Sequence, residues 1–209
     1  MRKKDIPNRK SHVSGKIGNG YSKMICTLDT METGRENVLN LEILDAKKVF
    51  LTEEDVRSIV EIERHPKVQE WLYLYVDPDF QKELRDYQEF FRRLPKNEKA
   101  DILTAQCDGL TVGFLALWRL EAFMEHVATI GISVHPDYWG RGIATQLMKS
   151  AIELARGKGV KRLEVETLAK NAPMRHLAER LGFKLESLRK ERIKKDGLYH
   201  DEVAYFMLL

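Results

Sequence analysis

The sequence predicts a single mixed α/β domain with a largely antiparallel central sheet. Its 209 residues are enough for one domain of ordinary size but not for two. With 43% hydrophobic and 32% charged residues it can form a core, which excludes wholesale disorder. The third observation is the order of periodicities, which predicts two helices, three strands, a helix, a strand, a helix and two closing strands. We find no internal repeat.

The first elements are read from caps and helical spacing. Ordered structure is expected to begin between Leu39 and Leu51 with an extended stretch. A first helix is predicted from Thr52, where a hydroxyl cap precedes acidic residues and apolar residues then recur at helical spacing. A second helix is predicted between Pro78 and Pro95, because proline favours the first turn of a helix and ends a preceding one.

The remaining elements alternate strand and helix spacing as far as the C-terminus. The predicted strands are Ile102–Cys107, Thr111–Leu120, 126–134, Val160–Thr167, Phe183–Lys194 and Tyr199–Leu208. Two further helices are predicted, from Gly142 to Lys158 and from Asn171 to Leu181, each with glycine at its C-terminal end.

The charge is concentrated at the N-terminus. The whole chain has a net charge of +3, too balanced for a dedicated nucleic-acid binder, whereas residues 1–23 alone carry +6. We interpret residues 1–38 as a flexible basic N-terminal arm and residues 39–209 as the folded domain. The arm is either a solubilising extension or a weak RNA or ribosome contact, and a nucleic-acid adaptor acting through it is one alternative function.

Other features restrict the class of protein. Cys26 and Cys107 cannot form a disulfide framework and lack the spacing of a zinc ligand set, so no metal is expected. No apolar run approaches the roughly 18 residues that a membrane span requires, and no apolar segment of a secretory signal follows the basic N-terminus. We expect a cytoplasmic protein without membrane contact.

Residues 132–145 carry the clearest chemical signal. A strand ends at Val134, and Gly140-Arg-Gly-Ile-Ala144 opens the long helix. The first turn of a helix has unpaired N–H groups and about half a positive charge, glycine lets the backbone approach a diphosphate, and Arg141 adds a cation. The spacing is neither that of a dinucleotide fingerprint nor that of a Walker loop. It therefore predicts a phosphate site of another kind.

This segment resembles motif A of the GNAT superfamily of acetyl-CoA-dependent N-acetyltransferases, Gln/Arg-x-x-Gly-x-Gly/Ala, which here reads Trp139-Gly-Arg-Gly-Ile-Ala144. Residues 171–183 resemble the second conserved block of the family. The stretches from His65 to Leu72 and from Asp196 to Glu202 are similar to ribosomal-protein and small-amine acetyltransferases. The resemblance covers about residues 40–209.

The resemblance implies the GNAT acyl-CoA N-acyltransferase fold, with acetyl-CoA as co-substrate. A bulge would splay the motif's strand from its neighbour, so that its backbone holds the pantetheine arm, with one N–H near Val134 polarising the thioester. The helix start would surround the pyrophosphate, and the Asn171 side chain would bond the cofactor near its pantetheine end. The cofactor contacts so implied are Ile132, Ser133, Val134, Gly140, Arg141, Gly142, Ile143, Ala144, Thr145 and Asn171.

Two positions depart from the family pattern. Trp139 stands where the motif has Gln or Arg, and Ala178 stands where many members have a tyrosine that protonates the leaving thiolate. Tyr199 and Tyr138 are alternative acids, although each could simply pack. A thiolate is itself a reasonable leaving group, because free thiols have a pKa of about 8.5.

An amine acceptor must lose a proton before it attacks, which requires a base. Glu166 is the first candidate, because related N-terminal-alanine acetyltransferases have a glutamate five residues before the position of Asn171. His126 and Glu125 are second candidates. Each of the three could instead be a solvated or ion-paired side chain.

Three aromatic residues are candidates for the acceptor site. Trp71, Tyr73 and Tyr75 alternate beside the first helices, where the family forms the acceptor mouth. They would either pack under a loop or grip the acceptor, including by cation–π contacts with its amine.

The predicted function is therefore an N-acetyltransferase that moves the acetyl group of acetyl-CoA to a primary amine by direct attack in a ternary complex. The acceptor is a protein N-terminus or a small amine such as a polyamine or amino acid, and the sequence leaves this choice open. The main alternative is a catalytically degenerate acyl-CoA-binding module. A monomer and a homodimer are both compatible with the sequence.

Overall fold

The computed structural model describes residues 16–17, 21–28 and 37–209, with side chains from residue 40 onward. Among these residues nine strands form one sheet, in the order β1-β2-β3-β4-β5-β6-β7-β9-β8. The strands are β1 (Lys16–Ile17), β2 (Tyr21–Leu28), β3 (Asn37–Asp45), β4 (Ala100–Cys107), β5 (Leu110–Arg119), β6 (Val127–Val134), β7 (Arg162–Leu168), β8 (Lys184–Lys195) and β9 (Leu198–Leu208). Neighbouring strands are antiparallel except β6 and β7, which are parallel. The predicted fold class is confirmed.

Five α-helices cover this sheet within the described residues. They are α1 (Glu53–Arg64), α2 (Pro66–Gln69), α3 (Phe80–Arg93), α4 (Ile143–Gly157) and α5 (Ala172–Arg180). Four of them were predicted, and the single turn α2 was missed. None of the helices is long and apolar enough to cross a membrane.

Local signals fix the helix starts. The Thr52 hydroxyl accepts from the Asp55 N–H at 3.1 Å while the Asp55 carboxylate accepts from the Thr52 N–H at 2.8 Å, a complete capping box. The second predicted helix begins at Phe80 rather than Pro78, because the Asp79 side chain accepts from the N–H groups of Gln81 and Lys82 and sets the cap there.

The sheet separates two layers of helices. On one face α4 and α5 pack over a large apolar cluster that includes Leu147, Ala151 and Leu163, each fully buried. On the other face α1 and α3 enclose smaller clusters around Ile59 and Val60.

The N-terminal part differs from the sequence prediction. Residues 16–17 and 21–28 lie in the range 1–38, for which a flexible arm was predicted, but the structure pairs them as β1 and β2 against β3. Residues 24–28 are apolar or β-branched apart from their single cysteine, and the edge of β3 offers unpaired backbone groups for such a strand. Residues 37 and 38 of the predicted arm begin β3, and its residues outside these three strands are not among the described ones, so residues 39–209 as a domain remain a prediction.

Candidate active site

The central feature of the site is a gap between two parallel strands. β6 and β7 pair from Val127–Arg162 to Ile130–Val165 and then separate. Beyond that point β6 stays with β5 as far as Val134, and β7 stays with β9 as far as Leu168. Residues 131–134 therefore face residues 166–168 across a gap.

A bulge in β6 was predicted as the cause of this gap, and that prediction is wrong. The register of β6 with β5 is continuous from Ala128 to Val134. The nearby register shift lies instead between β4 and β5, at Ala105 and Gln106. The strands part because each follows its antiparallel neighbour on the other side.

Hydrogen-bond parity shows which backbone groups face the gap. The His135 N–H donates to Val112 O at 2.8 Å, and Val127 O accepts from Leu120 N–H at 3.0 Å. The N–H and C=O groups of odd-numbered residues of β6 thus point towards β5. Because these groups alternate in direction along a strand, the N–H and C=O groups of Ile132 and Val134 point towards the gap. This edge is suited to an extended ligand that binds like an added strand.

The N-terminus of α4 lies just beyond the end of β6. Its N-cap is Gly142 at φ +80°, and no side chain caps the 15-residue helix. Gly140 also has a positive φ of +74°, and a Cβ placed on either glycine would meet no atom within 4 Å. Helix dipole, amide groups and open space together form a cradle for an anion at residues 140–145.

Two arginines flank this cradle. The Arg141 guanidinium lies 4.9 Å from the centre of the Tyr138 ring. Arg180, at the end of α5, donates from Nη2 to Thr145 Oγ1 at 2.8 Å. Sequence reasoning missed Arg180, because only the packing of α5 beside α4 brings it to the cradle from 35 residues away.

Trp139 replaces the expected Gln or Arg with a different polar contact. Its indole Nε1–H donates to Val134 O at 2.7 Å. This carbonyl faces the gap, so the indole ties the turn before α4 to the end of β6. Trp139 is 44% exposed, so it lies at the surface of the site.

Asn171 lies at the other wall of the site, and its side chain is engaged within the protein. Its Oδ1 caps α5 by accepting from Met174 N–H at 3.2 Å, and its Nδ2 donates to Thr167 Oγ1 at 2.9 Å. One amide hydrogen of this buried side chain is left for a ligand.

Glu166 lies at the gap within a network of charged groups. Its Oε1 accepts from Arg189 Nη1 at 2.6 Å, and the same nitrogen donates to Glu202 Oε2 at 2.8 Å. The Tyr73 hydroxyl donates to Glu202 Oε1 at 2.9 Å. Burial, followed by the hydrogen bond to Glu202, raises the pKa of Tyr73 and keeps it protonated.

The loop that carries the three aromatic candidates is fastened to the β8–β9 hairpin. Lys195 Nζ donates to Leu72 O at 2.6 Å and also to Gln69 O. Trp71 and Tyr73 are half-buried, whereas Tyr75 is 82% exposed. Tyr73 thus meets the network of Glu166, while Tyr75 is free to contact a ligand from solvent.

The structure does not bring His126 or Tyr199 to the gap. His126 precedes β6 at the end opposite Val134, and eight residues of strand separate the two by about 26 Å. Tyr199 is exposed beside the hairpin turn, under Lys194 Nζ at 5.5 Å, and alternation puts it on the face of β9 opposite Glu202. Glu125 lies next to His126 and is excluded with it.

Two histidines that were not proposed as bases lie near the gap. The rings of His65, at the N-cap of α2, and His135, directly after β6, are 5.4 Å apart at an angle of 77°. Their Nδ1 atoms accept from backbone N–H groups, which leaves each Nε2 to donate. They join the aromatic loop to the end of β6.

The geometry combines a free strand edge, an uncapped helix start and a carboxylate across the gap. Such a site can hold an extended, phosphorylated ligand and place its far end near Glu166. Within the described part of the chain no group of three His, Cys, Asp or Glu side chains could hold a metal ion.

Comparison with known proteins agrees with this geometry. Residues 57–183 match the acetyltransferase (GNAT) family. The chain is 28% identical over 108 residues to a candidate [ribosomal protein bS18]-alanine N-acetyltransferase of Bacillus subtilis, covering 52% of this chain and 70% of that protein. It is 34% identical over 107 residues to an L-amino acid N-acetyltransferase of Escherichia coli K12, covering 50% and 65%.

Solved structures share the fold. A candidate acetyltransferase of Salmonella typhimurium, crystallised with its cofactor acetyl-CoA, superposes with a TM-score of 0.65 at 21% identity, covering 81% of this chain and 94% of that one. The fold, the cradle and the family match point to the same chemistry. The chain belongs to the acetyltransferase (GNAT) family and is an acetyl-CoA-dependent N-acetyltransferase.

Proposed function

We propose that this enzyme acetylates a primary amine by direct attack on acetyl-CoA in a ternary complex, with Glu166 as the base. The observation that carries the proposal is the separation of β6 and β7 beyond Ile130–Val165, with the uncapped start of α4 at one end of the gap and Glu166 on its far strand.

The proposed cofactor contacts follow from this arrangement. The backbone groups of Ile132 and Val134 that face the gap would hold the pantetheine amides, and residues 140–145 would hold the pyrophosphate, with Arg141 and Arg180 supplying charge. Open space at Gly140 and Gly142 supports this assignment. Ser133 is buried in the strand, and Asn171 has one amide hydrogen to offer.

The chemistry assigned to the chain has two parts. The Val134 N–H would donate to the thioester carbonyl and stabilise the charge that develops on its oxygen. Glu166, directly or through one water, would take the proton that the amine loses as its nitrogen bonds to the carbonyl carbon, and the CoA thiolate leaves. The nitrogen gains the acetyl group that sulfur loses, so atoms and charge balance.

The acceptor class is proposed from the relatives and from the mouth of the site. Two relatives are named for a ribosomal-protein alanine and for L-amino acids, which supports an α-amine in both cases. The exposed Tyr75 and the half-buried Trp71 would contact the residue that carries this amine. We propose a protein N-terminus or an amino acid as acceptor, with a polyamine as the alternative.

Glu166→Gln tests the base, with Glu164→Gln as a matched control. Glu164 lies two residues earlier on the same face of β7, is ion-paired with Arg162 at 2.6 Å, and lies where β7 still pairs with β6. We expect Glu166→Gln to lower kcat by about 100-fold or more with CoA affinity unchanged, and Glu164→Gln to retain kcat within about threefold. Acetyl-CoA consumption with a panel of N-terminal peptides and amino acids measures both. Equal kcat in the two variants would exclude Glu166.

A second candidate function is a catalytically degenerate acyl-CoA-binding module. The observation that favours it is Ala178, which is fully buried and has no proton to give to the thiolate. This candidate predicts tight CoA binding without turnover on any amine in the same panel.

Three further expectations stay predictions. They are cytoplasmic location, the monomeric or homodimeric state, and a weak RNA or ribosome contact through the N-terminal basic residues. The last predicts salt-sensitive RNA binding that is lost when the basic arm, residues 1–23, is deleted.

A further inference from the structure

Arg189 links two carboxylates that come from different strands. A single nitrogen, Nη1, donates to Glu166 Oε1 on β7 at 2.6 Å and to Glu202 Oε2 on β9 at 2.8 Å. The side chains of Arg189 and Glu166 are each 38% exposed, whereas that of Glu202 is 3% exposed. The guanidinium thus connects a buried acid to the acid at the gap.

The backbone of β8 explains why Arg189 is aimed this way. Arg189 pairs with Glu202 and is the last paired residue before the register shifts to Ile193. The intervening bulge contains Glu191 at φ +52° and is held by Asp201, which accepts from the Glu191 N–H at 2.9 Å and from Lys190 Nζ at 2.8 Å. The bulge therefore fixes the strand immediately beside Arg189.

Glu202 in turn reaches the acceptor loop. Glu202 is buried and its Oε1 accepts from the Tyr73 hydroxyl, while Arg192 Nε lies 3.8 Å from its Oε2. A buried carboxylate is costly unless it is paired and hydrogen-bonded, so Glu202 keeps Arg189 and Tyr73 in place. A chain of contacts thus runs from the aromatic loop through Glu202 and Arg189 to Glu166.

We propose that Arg189 is a positioning residue that holds the Glu166 carboxylate at the gap, with Glu202 and Tyr73 fixing Arg189 relative to the acceptor loop. This inference rests on the proposed function of Glu166 as base. Hydrogen bonds to Glu166 and then Glu202 raise the pKa of Arg189, which therefore stays a cation and cannot take the proton itself.

A purely structural role would make the same variants less stable, but the loss of kcat would then not depend on the presence of the Glu166 carboxylate. One hydrogen bond from Arg189 Nη1 is enough to pair the buried Glu202 carboxylate. A structural role therefore leaves the second hydrogen bond, to Glu166, unexplained, and the proposal explains it. The charged and titratable groups near this pair are Tyr73, Arg192 and Glu202, and Glu164 lies on the same face of β7.

The test measures Arg189→Gln and Arg189→Lys in the otherwise wild-type enzyme, and Arg189→Gln again in the Glu166→Gln background. We expect Arg189→Gln to lower kcat about tenfold with the KM for acetyl-CoA unchanged, because the carboxylate is no longer held at the gap. Arg189→Lys should restore part of the lost kcat. In the Glu166→Gln background, Arg189→Gln should change kcat less than about twofold, because there is no carboxylate left to position.

Arg162→Gln is the matched control. Arg162 also bridges carboxylates of β7 and β8, Glu164 at 2.6 Å and Glu186 at 2.5 Å, but away from the gap. We expect Arg162→Gln to leave kcat unchanged. If Arg189→Gln fails to fold, the double variant Arg189→Gln/Glu202→Gln removes the unpaired buried charge and permits the same measurements.

Three results would overturn the inference. They are an Arg189→Gln enzyme with the kcat of the wild type, an equal loss of kcat in the Glu166→Gln background, and a Glu166→Gln enzyme of normal rate. Only the last also rejects Glu166 as base. The first two leave Glu166 in place and remove Arg189 alone.

Discussion

Replacing Gly142 with glutamate should abolish cofactor binding, because it adds backbone strain at a positive φ and a negative charge beside the phosphate. Gly142 has φ +80°, a conformation that costs an ordinary residue about 1–2 kcal/mol. Its Cβ position is open, so no clash adds to that cost. A carboxylate about 4 Å from one phosphate charge, at the effective dielectric constant of a protein surface, adds about 4 kcal/mol of repulsion, which is about a thousandfold in Kd.

Gly142→Gln has the same length and the same strained φ without the charge, and it is therefore the matched variant. Isothermal titration should give a Kd for CoA about a thousandfold higher for Gly142→Glu than for Gly142→Gln, and this difference should shrink at high salt. Thermal unfolding should show both variants folded with similar Tm. Gly157→Ala, at the other end of α4 where a Cβ is also unobstructed, should leave CoA affinity unchanged. Equal affinity of the glutamate and glutamine variants would refute an anion cradle at residues 140–145.

Two further predictions concern stability. Burial, with a smaller effect of Glu83, raises the pKa of Glu63 from 4.5 to about 7, against the opposing hydrogen bond from Tyr87. Folding thus favours the protonated form. Protonated Glu63 contributes about 3 kcal/mol to the free energy of unfolding; this contribution is complete below pH 4.5 and is lost as the pH rises through 7. In urea titrations the free energy of unfolding should therefore fall between these pH values in the wild type, and Glu63→Gln should lack this fall. Trp139→Phe removes the 2.7 Å bond to Val134 O and should cost about 1 kcal/mol in the same titrations, whereas an unchanged midpoint would show that the indole does not tie the turn to β6.

Features fixed by neighbouring residues could be predicted from the sequence. The capping box at Thr52 and Asp55 spans only four residues, so the sequence shows it directly. Gly140 and Gly142 have positive φ, a conformation that few residues other than glycine adopt. The order of strands and helices followed from periodicity for the same reason.

Features that depend on distant contacts could not be predicted. Glu166 was singled out by resemblance, but its partners Arg189 and Glu202 are 23 and 36 residues away on strands whose register the sequence does not specify. His126 was proposed because it adjoins the correct strand. The error was one of direction, since β6 runs away from His126 and only its C-terminal end opens into the gap. The strand β2 was missed because its basic surroundings masked a short apolar run.

The two departures from the family motif have different consequences. At Trp139 a polar contact is replaced rather than lost, since the indole N–H bonds the carbonyl of Val134. At Ala178 a proton donor is lost, and the nearby buried hydroxyl of Tyr205 is already engaged by Arg175 at 3.2 Å and Glu179 at 2.8 Å. A thiolate with a pKa near 8.5 can leave unprotonated at neutral pH, whereas the proposed acceptor, an α-amine with a pKa of about 8, is mostly protonated there and must lose that proton before it attacks. In the proposed mechanism the polar groups around Glu166, namely Arg189, Glu202 and Tyr73, serve the proton transfer from the amine, and position 178 can therefore be an apolar core residue.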